Sequence, residues 1–131
     1  MYLLDSNICI YIVNKRPITV VNRLEKYQPS EIKISSITVA EMEYGASKSK
    51  NRTRNREALI KFLSPFEILH FDIKDAEIYG IIRAELELRG EIIGPYDMQL
   101  AAQAIRGNYT LVTNNTKEFC RIKQLKLENW V

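Results

Sequence analysis

Three acidic residues stand where the sequence predicts the end of a strand or the first turn of a helix. Asp5 ends an N-terminal apolar run, Glu41 falls in the first turn of a helix following a strand that ends at Ser35, and Asp97 falls in the first turn of a helix opened by Pro95. Because ligands of open α/β sheets bind at the carboxyl ends of strands, the three acids could meet there. Close carboxylates resist joint ionisation, so such a cluster favours a hard cation, Mg²⁺ or Mn²⁺.

Each of these acids also has a structural interpretation. Asp97 could favour the positive end of a helix dipole. Glu41 could complete a capping box with Thr38, and Asp5 could form a turn at the end of a strand. Spacing alone leaves the structural and the catalytic interpretations open.

Composition excludes several other kinds of chemistry. His70 is the single histidine among the 131 residues, so no two-histidine acid–base pair is available. Cys9 and Cys120 have no spacing typical of zinc ligands, and the five glycines form neither a dinucleotide-binding nor a Walker A motif. If the chain is an enzyme, its chemistry therefore depends on carboxylates.

The length and the cysteine usage predict one domain in a reducing cytoplasm. No apolar run approaches the roughly 20 residues of a membrane span, and the N-terminus carries no pattern of a signal peptide. The net charge of +3 is unevenly distributed, because residues 72–91 hold six of the 16 acids and only three of the 19 bases. The remainder is more basic than the average, which suits a polyanionic partner.

Short apolar runs alternate with segments of helical periodicity, which predicts an α/β fold with a mostly parallel central sheet. The predicted strands are Tyr2–Leu4, Glu31–Ser35, Glu67–Phe71, Thr110–Thr113 and Leu125–Leu127. Predicted helices include Asn7–Val13 and the segment that Pro17 opens. A third begins between Ser36 and Thr38 and runs toward Gly45, and two more begin at Asp72 and Pro95.

A basic run separates two of the predicted helices. Its cations are Lys48, Lys50, Arg52, Arg54 and Arg56, and no acid interrupts them. The run is interpreted as a polar hinge before a helix that carries Ala58 to Leu63. It could bind phosphate groups or form a solvated loop.

Four segments resemble, in order, the motifs of PIN domains. They are Leu4–Ile8 (LDSNI), Thr38–Gly45 (TVAEMEYG), Ile93–Ala104 (IGPYDMQLAAQA) and Leu111–Phe119 (LVTNNTKEF). Each segment alone is weakly specific, but the four together span nearly the whole chain. The chain resembles the VapC toxins, the ribonuclease components of bacterial VapBC toxin–antitoxin pairs.

This resemblance implies a PIN-like three-layer α/β/α fold formed by residues 1–131 as a single domain. It also implies a Mg²⁺-dependent endoribonuclease in which Mn²⁺ could substitute. By motif position Asp5, Glu41 and Asp97 correspond to the catalytic acids, with Asp5 and Asp97 as metal ligands and Glu41 as a further candidate ligand.

The resemblance assigns supporting roles to other residues of the first and last motifs. Ser6 matches a small hydroxyl residue that supports the first acid, and Thr113 ends the strand of the last motif. Asn115 stands where many PIN domains carry a fourth acid. Glu118, just before Phe119, is a candidate to replace that acid, or it belongs to the helix that follows.

The resemblance further implies partners and a substrate. A VapB-type antitoxin would bind with its C-terminal segment across the active-site groove, and operator DNA would be bound only through that antitoxin. VapC proteins commonly form homodimers. The substrate would be a structured RNA, with the anticodon stem-loop of initiator tRNA as the expected target.

Other classes of protein remain as alternatives. A non-catalytic PIN-like module would bind RNA or protein without cleaving it. An aspartate-nucleophile phosphatase also begins with a strand that ends in Asp, but it requires a second Asp where this chain has Asn7. A response-regulator receiver lacks support, because the paired acids expected near the first strand are missing.

Overall fold

The computed structural model describes residues 1–131 and contains five strands and seven helices. The strands are β1 (Tyr2–Leu4), β2 (Ile32–Ser35), β3 (Glu67–Leu69), β4 (Thr110–Val112) and β5 (Lys126–Glu128). The helices are α1 (Ser6–Asn14), α2 (Ile18–Leu24), α3 (Ser36–Ser47), α4 (Arg52–Leu63), α5 (Ile73–Leu88), α6 (Pro95–Gly107) and α7 (Thr116–Phe119). One turn of 3₁₀ helix, Pro29–Glu31, precedes β2.

All five strands lie in one parallel sheet with the order β3-β2-β1-β4-β5. In the register of the three central strands, Leu4 pairs with Ile34 on one side and with Val112 on the other. The residues that follow this row, Asp5, Ser35 and Thr113, therefore lie side by side at the carboxyl edge of the sheet. The all-parallel topology requires a helical crossover after almost every strand, as the alternating sequence pattern predicts.

Helices cover both faces of the sheet, and each face has its own apolar core. Leu3 points into the core formed with α5 and α6, where Leu86 and Met98 are buried. Leu4 points to the opposite face, into the core with α1 and α2, where Ile8 and Val20 are buried. Successive residues of a strand face opposite sides, so the short apolar strand β1 is buried on both. The predicted three-layer α/β/α fold is confirmed.

Helix boundaries differ from the predictions in the middle of the chain. The basic run is only partly a hinge, because α4 begins at Arg52 and includes Arg54 and Arg56. A run of cations is typical of a loop, but arginine has high helix propensity and the buried Leu59 anchors the helix to the core. No bounds were predicted for the short helix α7, which contains Glu118, because four residues are too few to give a periodic signal.

The helices that carry Glu41 and Asp97 begin in different ways. Ser35 ends β2 and also caps α3, with its Oγ accepting a hydrogen bond from the Ile37 N–H at 3.0 Å. Gly94 precedes α6 in an extended conformation, and Pro95 occupies the first helical position. None of the seven helices combines the length and the apolar character needed to cross a membrane.

Candidate active site

Asp5 lies at the carboxyl end of β1, where it caps α1 and is only 6% exposed. Its Oδ1 accepts a hydrogen bond from the Ile8 N–H at 3.0 Å, and its Oδ2 accepts one from the Thr113 hydroxyl. Burial nevertheless raises the pKa of Asp5, and the charge of Glu41 adds to the increase while the Thr113 and Ile8 hydrogen bonds oppose it. The structure thus holds this carboxylate in one orientation but disfavours its ionised form.

Thr113 links the last motif to the first acid. It follows β4 directly and is fully buried, and its Oγ1 also accepts a hydrogen bond from the Asn115 N–H at 2.9 Å. The hydroxyl therefore donates to Asp5 and fixes the turn after β4 at the same time. The two residues are 108 positions apart, and only the parallel pairing of β1 with β4 brings them together.

Asp97 is the third residue of α6 and is half-buried. Burial, followed by the charges of Asp5, Glu118 and Glu41, raises its pKa to about 6. These charges act on Asp97 because the sheet edge and α6 bring all four acids into one region. At neutral pH the site therefore holds repelling carboxylates in a partly desolvated position.

Glu41 is exposed and lies in the second turn of α3, so its prediction in the first turn was wrong. The helix begins five residues earlier because Ser35 caps it, and Thr38 lies inside the helix rather than forming a capping box with Glu41. The Ser6 hydroxyl lies 3.3 Å from Glu41 Oε2 and donates a hydrogen bond to it.

Glu118 lies in α7 and accepts a hydrogen bond from Asn115 Nδ2 at 3.1 Å. Asn115, at the position where many PIN domains carry a fourth acid, therefore orients the carboxylate of Glu118. The charge of Glu118 contributes to the raised pKa of Asp97, as do the charges of Asp5 and Glu41.

No basic side chain forms a salt bridge with any of the four acids. Every salt bridge in the chain involves other carboxylates. The only charged neighbours that act on Asp97 are acids, so the site has a local excess of negative charge.

The donor set fits a hard cation. The side chains that converge are all carboxylates, while Cys9 is buried and His70 is exposed beyond β3. No group of three or more His, Cys, Asp or Glu side chains is arranged as a ready-made metal cage. Mg²⁺ commonly takes only one or two protein carboxylates and keeps several waters, so such a cage is not required.

The five cations of the predicted basic run differ in their contacts, since two of them have partners within the protein and three have none. Arg56 forms a two-pronged ion pair with Glu43, at 3.1 and 3.3 Å, and Lys48 Nζ lies 4.8 Å from the ring centroid of Tyr44. The other three cations have no salt-bridge partner and lie at or just before the start of α4: Lys50, Arg52 and Arg54.

Sequence reasoning missed Gln103, which connects two strand ends to α6. Its Oε1 accepts a hydrogen bond from the Ser35 hydroxyl, and its Nε2 donates to the Leu69 carbonyl at 3.3 Å. It is buried among apolar neighbours on the same helix as Asp97. A polar residue inside the apolar stripe of α6 is the signal that could have identified it.

Comparisons with known proteins agree with this fold and site. The model of the PIN domain family matches residues 2–125. The chain therefore belongs to the PIN domain family.

Within that family, the chain is similar to VapC ribonucleases over its whole length. It is 50% identical to ribonuclease VapC2 of Rickettsia felis, covering 99% of this chain and 98% of the relative. It is 39% identical to the tRNA(fMet)-specific endonuclease VapC of Shigella flexneri, with coverages of 98% and 97%. The crystal structure of VapBC2 from Rickettsia felis, bound to a promoter DNA fragment, superimposes with a TM-score of 0.92 at 49% identity, covering 99% of this chain and 98% of the other.

Proposed function

We propose that this chain, a single PIN domain, is the toxin of a type II toxin–antitoxin pair and acts as a Mg²⁺-dependent endoribonuclease on structured RNA. One observation carries the catalytic part of the proposal: the charges of Asp5, Glu118 and Glu41 all act on the half-buried Asp97, and no basic side chain is paired with any of the four acids. The similarity to VapC ribonucleases supports RNA as the substrate.

Asp5 and Asp97 are the proposed metal ligands, and Glu41 is a third candidate. A divalent ion bound there would polarise the scissile phosphate and lower the pKa of an attacking water. Its positive charge would also relieve the repulsion that raises the pKa of Asp97.

The chain's own residues prepare the site for an in-line displacement. Thr113 and the Ile8 N–H hold the Asp5 carboxylate, so its oxygens need not reorganise when a phosphate arrives. Ser6 holds Glu41, which is exposed and can orient a water or accept its proton. No histidine is required for these steps.

The partners are proposals from the same similarity. A VapB-type antitoxin would cover the site, and operator DNA would be bound through it, since related VapBC pairs have been solved as complexes on DNA. We also propose a homodimer as the assembly of the toxin. Initiator tRNA is the proposed substrate, because a relative at 39% identity is named a tRNA(fMet)-specific endonuclease.

The test is incubation of the purified chain with total tRNA and Mg²⁺, followed by mapping of the new 5′ ends. We expect cleavage at one site in initiator tRNA, no cleavage in EDTA, and recovery on adding back Mg²⁺ or Mn²⁺. The Asp97→Asn variant is the matched control. Equal cleavage in EDTA, or cleavage of a phosphate monoester instead of RNA, would overturn the proposal.

A further inference from the structure

A chain of buried hydrogen bonds joins two helices that carry acids of the candidate site, α3 and α6. The Ile37 N–H at the start of α3 donates to Ser35 Oγ at 3.0 Å, and the Ser35 hydroxyl donates to Gln103 Oε1. The Nε2 of Gln103 then donates to the Leu69 carbonyl at 3.3 Å. One side chain of α6 therefore holds both the residue that caps α3 and the end of β3.

Gln103 occupies a position on α6 where the surroundings favour an apolar side chain. It is only 3% exposed, and its neighbours Ala102 and Ala104 are fully buried. A buried amide costs free energy unless hydrogen bonds replace its lost contacts with water. Burial of apolar area alone would favour a leucine or a methionine at this position. The glutamine therefore contributes directed hydrogen bonds rather than hydrophobic packing.

The distance from this hydrogen bond to the acids amplifies small movements. Glu41 lies six residues after Ser35, and Asp97 lies six residues before Gln103. Six residues of helix span about 9 Å, so a tilt of about 10° at the bond would displace either acid by about 1.6 Å. Mg²⁺ requires near-ideal octahedral geometry, and a misplacement of about 1 Å can reduce catalysis on the order of 100-fold. The bond therefore lies where it controls the geometry of the cation site.

Few other contacts fix α3 relative to α6. The α3 helix packs mainly on α4, and α6 packs mainly on α5, whereas α3 and α6 touch each other only over a short stretch. No salt bridge joins α3 to α6. The bond between Ser35 and Gln103 is therefore the one side-chain hydrogen bond that links the α3 cap to α6.

We propose that Gln103 is a positioning residue that sets, through Ser35, the relative placement of Glu41 and Asp97 at the cation site. This role rests on the proposed function, because it makes Gln103 part of the support of a ribonuclease's cation site. Gln103 does not act by touching the cation or the RNA. It acts through the backbones of α3 and α6, which its hydrogen bonds hold in one arrangement.

The first test uses Gln103→Met, because methionine has a similar length and forms neither hydrogen bond. Mn²⁺ binding to the metal-free chain is measured by electron paramagnetic resonance at pH 7, on samples whose folded state is checked by circular dichroism. Gln103→Met should weaken Mn²⁺ binding about 10-fold, the lower end of the effect of losing residues that orient metal ligands. The Mg²⁺ concentration that gives half-maximal RNA cleavage should rise by a similar factor.

Arg106→Met is the matched control, since it introduces the same side chain on the same helix at the end remote from Asp97. Both variants should unfold at a lower urea concentration than the wild type, because each takes a hydrogen-bond partner from buried polar groups. Only Gln103→Met should change the Mn²⁺ affinity. A purely structural glutamine would leave the Mn²⁺ affinity of the folded chain unchanged, and that result would overturn the proposal.

Ser35→Ala breaks the same chain of hydrogen bonds from the side of α3 and leaves Gln103 in place. It should weaken Mn²⁺ binding about 10-fold, and the double variant with Gln103→Met should also lose about 10-fold rather than the roughly 100-fold of two independent effects. If Gln103→Met does not fold, Ser35→Ala alone decides. Unchanged Mn²⁺ affinity in Ser35→Ala, or a loss of about 100-fold in the double variant, would overturn the proposal.

The Mn²⁺ measurements separate the role of Gln103 from the ribonuclease function. If the wild-type chain binds Mn²⁺ but cleaves no RNA, the proposed function fails, and the Mn²⁺ affinities of the variants still decide whether Gln103 positions the acids. A wild-type chain that binds no Mn²⁺ would overturn the positioning role, because there would be no cation site to position.

Discussion

Acidic side chains gather at both ends of α6, and the two groups behave in opposite ways. At the C-terminal end, Arg106 pairs with Asp72 at 2.6 Å and with Asp75 at 3.4 Å. The Asp72 carboxylate also caps α5 by accepting hydrogen bonds from the N–H groups of Lys74 and Asp75. Arg106, together with these two hydrogen bonds, lowers the pKa of Asp72. At the N-terminal end, Asp97 faces only other acids, and its pKa is raised to about 6.

The difference separates acids that stabilise the fold from acids that destabilise it. Asp72 favours the folded state when ionised, whereas Asp97 is ionised at neutral pH against the preference of its surroundings. Such strain at one place in an otherwise well-paired structure is typical of functional sites.

Asp97→Asn should have the largest effect, and in opposite directions on activity and stability. RNA cleavage in Mg²⁺ should fall at least about 100-fold, since a proposed metal ligand is removed. The free energy of unfolding at pH 7 without metal should rise, because the repulsion with Asp5 and Glu118 disappears. Urea denaturation and a cleavage assay on the same preparations measure both.

The pH dependence of the free energy of unfolding is the control for the Asp97→Asn variant. A raised pKa in the folded state means that the wild-type chain should become more stable as the pH falls from 7 to 5 in EDTA. Asp97→Asn should lose most of this gain. A variant less stable than the wild type at pH 7 with an unchanged pH profile would contradict the account.

Thr113→Val tests whether the orientation of Asp5 matters as well as its charge. The substitution removes the hydroxyl that donates to Asp5 and accepts from the Asn115 N–H. Cleavage should fall about 10- to 100-fold, as is usual when the group that orients a metal ligand is lost. Thr113→Ser should restore most of the activity, and full activity in the valine variant would show that Asp5 needs no such support.

These acids also show how far the sequence alone could predict the molecule. Asp5 and Asp97 were correctly located at a strand end and at a helix start, because apolar runs and the Gly94-Pro95 signal mark those boundaries locally. Glu41 was misplaced by one helical turn, since two serines compete with Thr38 as the cap of α3. The bond between Thr113 and Asp5 depends on strand pairing, which no local pattern encodes.

Arg106→Met should affect the opposite end of α6 and leave the site intact. Removing the cation leaves the buried Asp75 with one partner fewer and Asp72 without its ion pair. The free energy of unfolding should fall at pH 7, and this difference should disappear as the pH falls through the lowered pKa of Asp72. Thermal melts between pH 7 and pH 3 measure it, and a loss of RNA cleavage without unfolding would show that the two ends are coupled.

Thr38→Val should have the smallest effect, and a favourable one. The Thr38 hydroxyl is buried on α3 without a hydrogen-bond partner. Valine has the same shape and carries no polar atom, so the free energy of unfolding should rise by up to about 1 kcal/mol. Cleavage should stay at the wild-type level, and a decrease in stability would mean that the hydroxyl is hydrogen-bonded in solution.

The central claim is tested most directly by measuring, with electron paramagnetic resonance at pH 7, how Mn²⁺ binds to the metal-free chain. The account predicts that the wild-type chain binds Mn²⁺, that Mg²⁺ displaces it, and that Asp97→Asn loses this binding while Arg106→Met retains it. Equal Mn²⁺ binding by the wild-type chain and Asp97→Asn would contradict the claim that the unpaired acids at the N-terminal end of α6 form a cation site.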